Sequence, residues 1–243
     1  MAFKPVTHCI FDFDGLLVDT ERLYFKIIDD VLKEFGHRYT VEIKLMVLGC
    51  TRKDCARIVI DHCRLNITID EFLRLMEEKC IETLPKCQLL PGAERLVRHL
   101  VKKGIPIAIG TSSSLAALEL KTTHHGDFMK NFTHLVSATD DPEVAAGKPA
   151  PDVFLVCAQR FESPPQASRV LVFEDAPNGV RAALAAGMQA VMVPDPAVVT
   201  QDQRNEATLC LNSLEHFEPE LFGLPPFDDE ILSESPPLNP RNL

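Results

Sequence analysis

The chain has no apolar run approaching the roughly 18 residues that a membrane helix needs, which argues against a spanning segment. Its first residues, Met1-Ala2-Phe3-Lys4-Pro5, lack the basic region and long apolar core of a secretion signal. Eight cysteines stand at 9, 50, 55, 63, 80, 87, 157 and 210, and none forms a C-x-x-C pair. That spacing excludes the usual zinc motifs. In a chain of this length without a secretion signal, a disulfide framework is not expected either. The thiols therefore read as reduced and mostly buried, and the expected location is cytoplasmic. Positive charge is also scarce: 25 Lys and Arg face 35 Asp and Glu, a net charge of −10. A long nucleic-acid footprint needs clustered cations, so no nucleic-acid polymer is expected as partner. A small anionic substrate stays compatible, because one lysine or metal can override the global sign locally.

What is present is a sizeable apolar share, 46% of 243 residues, enough for one large domain or two small ones. Short apolar segments at 7–12, 105–110, 134–138, 170–173, 189–193 and 207–211 read as strands. Runs such as Ile105-Pro106-Ile107-Ala108-Ile109 and Val170-Leu171-Val172-Phe173 fit strands covered on both faces, hence a parallel sheet. Helical segments lie between them. Leu96, Val97, Leu100 and Val101 form a stripe that ends before Gly104, and 178–187 has high helix propensity. The alternation predicts an α/β fold with a doubly wound parallel sheet, a Rossmann-like core.

Residues 20 to about 85 break that alternation. Leu23, Ile27, Val31 and Phe35 recur every four residues, and 52–63 and 70–84 also read as helices. The expected organisation is a core made of 1–18 and 88–224, an inserted α-helical cap over 19–87, and a disordered tail over 225–243, rich in proline and acid. No internal repeat is visible.

The chemistry gathers at strand ends, where open α/β sheets bind ligands. The first group is Asp12 and Asp14 in Phe11-Asp12-Phe13-Asp14-Gly15. Two buried carboxylates cost several kcal/mol unless a partner repays it, and a hard divalent cation, Mg2+, suits them. The second is Gly110-Thr111-Ser112-Ser113-Ser114, whose hydroxyls and backbone N–H groups at a helix start suit a phosphate. The third is Lys148 in Gly147-Lys148-Pro149, able to neutralise an oxyanion. The fourth is Glu174-Asp175, two further hard oxygen ligands. Singly each reads as an ordinary turn or cap; their joint placement carries the signal. Gly147-Lys148 is no Walker A, since no glycine precedes it by five residues. Asp12-x-Asp14-Gly15 is no EF-hand loop, its glycine coming too early. Asp19 and Thr20 read as a helix cap and hinge. Arg52 and Lys53 could meet substrate from the cap or start a solvated helix. His124-His125 reads as surface, because adjacent residues do not share a helix face.

With these residues in view, the chain resembles the haloacid dehalogenase superfamily of phosphohydrolases. Asp12, Asp14, Gly15, Leu17, Asp19 and Thr20 meet its D-x-D-G-x-L-x-D-T motif. Thr111, Lys148 and the pair Glu174-Asp175 stand at its second, third and fourth motifs. The resemblance implies Asp12 as nucleophile and Asp14 as proton donor and acceptor. It implies Mg2+ held by Asp12, the Asp14 backbone carbonyl and Asp175, with Glu174 assisting. Thr111, Ser112, Ser113 and Lys148 would bind the phosphoryl group, with Arg52 and Lys53 as cap contacts. The implied partner is a small phosphorylated metabolite, acted on by a monomer. A cap in this position resembles the subgroup of sugar-phosphate phosphatases and β-phosphoglucomutase. Four further stretches, 19–24, 140–144, 171–180 and 219–225, resemble a branch acting on a modified nucleoside 5′-monophosphate. A phosphate-ligand-binding protein without catalysis is the alternative of another class.

Overall fold

The computed structural model describes residues 3–47, 50 and 52–228. In chain order the elements are β1 (His8–Phe11), α1 (Thr20–Glu34), α2 (Val41–Val47), α3 (Arg52–Cys63), α4 (Ile69–Thr83) and α5 (Ala93–Lys102). Then come β2 (Ile107–Thr111), α6 (Leu115–Lys121), α7 (Gly126–Met129), β3 (Leu135–Ser137) and α8 (Asp152–Gln159). The chain continues through β4 (Val170–Glu174), α9 (Pro177–Ala185), β5 (Gln189–Met192), α10 (Gln201–Arg204) and β6 (Leu209–Cys210). All six predicted strands form one sheet in the order β3-β2-β1-β4-β5-β6. Every pairing is parallel.

Period-two geometry explains why the strands had to be apolar throughout. In β1, Cys9 and Phe11 enter one core and Ile10 the other. In β4, Leu171 and Phe173 face the first core while Val170 and Val172 face the second. Helix α5 covers the first face through Leu96, Val97 and Leu100. Helices α8 and α9 cover the second through Val153, Phe154, Val180 and Ala183. The Phe11 and Phe173 rings stack at 4.6 Å, locking β1 to β4.

Strand order reverses around β1: the chain runs outward to β2 and β3 on one side, then to β4, β5 and β6 on the other. The carboxyl end of β1 is thus a topological switch point, the place where such sheets open a crevice.

Helices α1 to α4 lie between β1 and β2 in sequence. Helix α1 belongs to two cores: Leu23 and Ile27 pack with the sheet, while Val31 and Leu32 pack with Tyr39, Ile43, Val59, Ile60 and Phe72 of the helical segment. The hydroxyl of Thr68 caps α4 by accepting from the Glu71 N–H at 3.2 Å. The chain leaves and re-enters the sheet side by side: the Asp19 N–H donates to the Gln88 carbonyl and the Leu90 N–H to the Leu17 carbonyl, both at 2.9 Å.

Helix α2 lies within the expected α-helical segment, although 41–47 is not among the helices read there. It forms because Ile43 and Val47, four apart, are the pair buried under it. The stretch from 225 onward, expected to be disordered, begins docked on α5. His99 meets the Pro225 carbonyl at 2.9 Å, Arg95 lies 3.9 Å over the Phe227 ring, and Asp228 pairs with Lys102 and Lys103. The remainder, 229–243, lies outside the described residues. All eight cysteines are free. Among the described residues, no helix is long and apolar enough to cross a membrane.

Candidate active site

The chain ends β1 at Phe11, and the Asp12 N–H reaches across to the Phe173 carbonyl at 2.9 Å. That bond holds Asp12 beside the end of β4, where Glu174 and Asp175 follow. Gly15 then turns the chain with φ +73°, a conformation that disfavours any side chain. A Cβ there would lie 2.3 Å from the Asp175 carboxylate. Glycine at this position therefore lets the loop close on the acid opposite.

One oxygen each of Asp12, Glu174 and Asp175 lies within 4.8 Å of the others. Asp12 is 6% exposed and Glu174 is 1% exposed. Lys148 enters between them, its Nζ donating to Asp12 Oδ1 at 2.5 Å, Glu174 Oε1 at 2.6 Å and the Gly110 carbonyl at 3.1 Å. The other Glu174 oxygen accepts from the Asp175 and Ala176 N–H groups at 3.1 and 3.3 Å. Gly179 in α9 makes room for this carboxylate, since a Cβ there would lie 1.9 Å from it.

Three carboxylates thus crowd around one lysine, which bonds to two of them. Burial and then the repulsion of Glu174 and Asp14 outweigh the attraction of Lys148, and push the Asp12 carboxyl up to about 7. Asp175 is raised well above the usual carboxylate range, by burial first and then by Glu174 and Asp12. Burial also works against the Lys148 charge, but Asp12 and Glu174 prevail and hold it above its ordinary value. With all three ionised, two negative charges would go uncompensated by Lys148, and the raised Asp12 and Asp175 values express that conflict. A donor set made of hard oxygens with that excess fits a divalent cation such as Mg2+.

The side chain of Asp14 stands apart from this cluster. Its Oδ1 accepts from Lys121 Nζ at 2.5 Å and its Oδ2 from the Ser113 hydroxyl at 2.6 Å. Any part Asp14 plays in holding a metal would fall to its backbone carbonyl. Thr111 closes β2 and is 1% exposed; its hydroxyl accepts from the Ser113 N–H at 3.1 Å. Ser112 is exposed, and its carbonyl accepts from the Thr139 hydroxyl at 2.8 Å. Ser114 caps α6 by accepting from the Ala117 N–H.

The structure thus gathers Asp12, Asp14, Thr111, Ser113, Lys148, Glu174 and Asp175 at the switch point. Arg52 and Lys53 start α3. Arg52 reaches Glu77 on α4 at 2.9 Å, with both side chains more than half exposed, and Lys53 is exposed. Asp19 precedes α1 without capping it through its side chain; its carboxylate pairs with Arg22 at 2.6 Å. The Thr20 hydroxyl is buried and has no partner. His124 is exposed, as expected, whereas His125 is half-buried and bonds to the Cys87 carbonyl at 2.8 Å.

Sequence reasoning missed Lys121. It was legible in principle: it lies three residues after Leu118 on a short helix, so both share a face, and a cation on a buried face needs an anion to meet it.

The chain matches the family model of haloacid dehalogenase-like hydrolases over residues 9–193. It belongs to that family. It is 47% identical over 228 residues to a protein named probable pseudouridine-5′-phosphatase of Drosophila melanogaster, covering 94% of this chain and 98% of that one. It is 42% identical to (DL)-glycerol-3-phosphatase 2 of Arabidopsis thaliana, covering 92% and 94%. Its fold is similar to that of a haloacid dehalogenase family hydrolase from Deinococcus radiodurans solved with phosphate and sodium. That comparison has a TM-score of 0.76 at 25% identity, over 91% of this chain and 99% of the other.

Proposed function

We propose that this hydrolase is a Mg2+-dependent phosphatase that cleaves a small phosphate monoester through an aspartyl-phosphate on Asp12. The enzyme class is phosphoric monoester hydrolase. The observation that carries the reading is the buried site at the switch point, where three carboxylates cluster around a lysine bonded to two of them, beside a Thr-Ser loop suited to phosphate. Unassisted hydrolysis of such esters requires acceleration by up to on the order of 10²¹-fold, so no single group suffices.

The roles follow from position. Asp12 attacks phosphorus and the ester P–O bond breaks, while Asp14 gives its proton to the departing oxygen. Water then attacks the phosphorus, Asp14 takes its proton, the bond to Asp12 breaks and phosphate leaves. Lys148, Thr111 and the Ser112 backbone hold the phosphoryl oxygens. Asp12, Asp175 and the Asp14 carbonyl, with Glu174 directly or through water, would hold Mg2+, which supplies charge neutralisation for attack on a dianion. The helical segment 19–87 acts as the cap that screens the leaving group, and the enzyme works as a cytoplasmic monomer.

The substrate we favour is pseudouridine 5′-phosphate. It is the nucleotide to which the stretches 19–24, 140–144, 171–180 and 219–225 also point, and the fruit-fly relative named for it is 47% identical over 94% of this chain. The plant relative at 42% identity makes glycerol 3-phosphate the second reading. Phosphate release with Mg2+ from pseudouridine 5′-phosphate, glycerol 3-phosphate and sugar monophosphates decides between them. The first should exceed the others in kcat/KM by at least about tenfold, and Asp12→Asn should abolish it. Equal, slow release from every ester would overturn the substrate. Interconversion of glucose 1-phosphate and glucose 6-phosphate without net release would make the protein a mutase instead.

A further inference from the structure

The buried lysine that the reaction scheme leaves unused is Lys121. Its side chain is 0% exposed, so its charge requires partners. Nζ donates to Asp14 Oδ1 at 2.5 Å and to the Ser113 oxygen at 2.6 Å, and it lies 5.2 Å from the centre of the Tyr24 ring. The Ser113 hydroxyl in turn donates a hydrogen bond to the other oxygen of Asp14 at 2.6 Å. Both Asp14 oxygens are therefore held by donors from one segment, the loop and helix that follow β2. That segment is the one whose Thr111 hydroxyl meets the Ser113 N–H. The acid and the phosphate loop are consequently fixed to a single rigid unit. Tyr24 ties the same ammonium to α1.

We propose that Lys121 is a positioning residue for proton transfer: with Ser113 it orients the Asp14 carboxyl toward the leaving oxygen and sits where negative charge develops on Asp14 as its proton departs. This rests on reading Asp14 as the proton donor. The balance is simple. The O–H bond of Asp14 breaks, the proton goes to the ester oxygen as the P–O bond breaks, and Lys121 stays protonated throughout. A preorganised cation at that point is worth far more than one in water, because it needs no reorganisation during the step.

The test uses leaving groups that differ in their need for a proton. An alkyl phosphate, glycerol 3-phosphate, needs one; p-nitrophenyl phosphate releases a stable phenolate and does not. The readout is kcat/KM, which ends at alcohol release and is blind to the later hydrolysis of the phospho-enzyme. Lys121→Met keeps the length and removes the charge. It should lower kcat/KM by about 10²-fold on the alkyl ester, the scale of general acid catalysis, and by less than about fivefold on the aryl ester. Ser113→Ala and Lys121→Gln keep more of the network and should shift the same ratio by a smaller factor. They also serve should Lys121→Met not fold. Asp14→Asn provides the reference. If Asp14→Asn separates the two esters and the Lys121 and Ser113 variants lower both equally, Lys121 is only structural and the proposal is overturned. If Asp14→Asn fails to separate them, the reading of Asp14 as donor falls first, and the proposal with it.

Discussion

Two buried aspartates in this molecule sit in opposite electrostatic worlds. Asp29, in α1, is 6% exposed and is shared by two cations. Arg38 grips both its oxygens at 2.8 and 3.2 Å, Lys33 adds a contact at 2.8 Å, and the Tyr39 N–H donates at 3.0 Å. The Arg38 hydrogen bond, then Lys33 and Tyr39, hold its carboxyl well below the usual range against the cost of burial. Asp12 is no more exposed, but it is more deeply desolvated, meets a single lysine beside two more acids, and is pushed up to about 7. The first arrangement has more cations than carboxylates and serves the fold. The second has more carboxylates than cations, costs stability as it stands, and is stabilised only by what it binds. Deeper desolvation and an excess of carboxylates together separate the candidate site from the structural one.

The comparison is broken most sharply by removing each charge in turn. Asp12→Asn should reduce phosphatase turnover by about 10⁴-fold or more, with the melting temperature of the metal-free protein unchanged or higher. Asp29→Asn should do the reverse. Activity should stay within about threefold, while loss of charge-assisted hydrogen bonds lowers stability by about 1–3 kcal/mol, a fall of roughly 3–10 °C. Steady-state kinetics and thermal melts on both variants read the crossover. A destabilised Asp12→Asn that keeps activity would erase the distinction.

Next in size is the response to a divalent cation. A ligand bound only by the folded state at a hundred times its Kd stabilises by about 2.7 kcal/mol. Millimolar Mg2+ should therefore raise the melting temperature of the wild type by several degrees, and that of Asp29→Asn by as much. It should leave Asp12→Asn and Asp175→Asn nearly unmoved. Chelation should abolish activity and reverse the shift.

The two aspartates should also tilt the pH dependence in opposite directions. Asp12 has a raised folded value, so between about pH 4 and pH 7 the folded state binds more protons than the unfolded one. The metal-free protein should lose stability as pH rises through that window. Asp29 has a depressed folded value, so its contribution is complete above the ordinary carboxylate range and is lost as pH falls below it. Melts from pH 3 to 8 in chelator should show both slopes. Asp12→Asn should flatten the upper one and Asp29→Asn the lower.

The same contrast separates residues whose placement is legible in the sequence from those whose placement is not. Asp12, Thr111, Lys148, Glu174 and Asp175 are legible because each follows directly on an apolar strand or stands in a short local motif, and a parallel sheet brings strand ends together by its own topology. The six strands are legible for the same reason: burial on both faces leaves an apolar run. Lys121 is legible only faintly, through its spacing from Leu118, because its contact with Asp14 lies 107 residues away and a lysine at the end of a short helix looks like solvated surface. Asp29 is hidden in the same way: its partners Lys33 and Arg38 are close in sequence, but nothing local says that the carboxylate is buried. Ser113 reads as a phosphate contact from its place in a serine run, whereas its hydroxyl is engaged by Asp14. Local composition reveals which groups are available; which group each one faces is decided by packing.

The smallest expected effect concerns a charge that is neither buried nor crowded. Arg52 pairs with Glu77 at 2.9 Å, with the two side chains 57% and 61% exposed. Water screens such a pair, and holding two long side chains together offsets most of the gain. Arg52→Ala should therefore leave the melting temperature within about 2 °C and kcat/KM within about threefold. Glu77→Ala should match it. The measurement has a sharp alternative, since Arg52 stands at the start of α3 and is a candidate to meet substrate from the cap. A tenfold rise in KM at constant kcat in Arg52→Ala, absent from Glu77→Ala, would mean that the guanidinium leaves Glu77 for the substrate. Arg52 would then belong with Asp12, as a charge whose partner arrives with the ligand, and not with Asp29, whose partners are built into the fold.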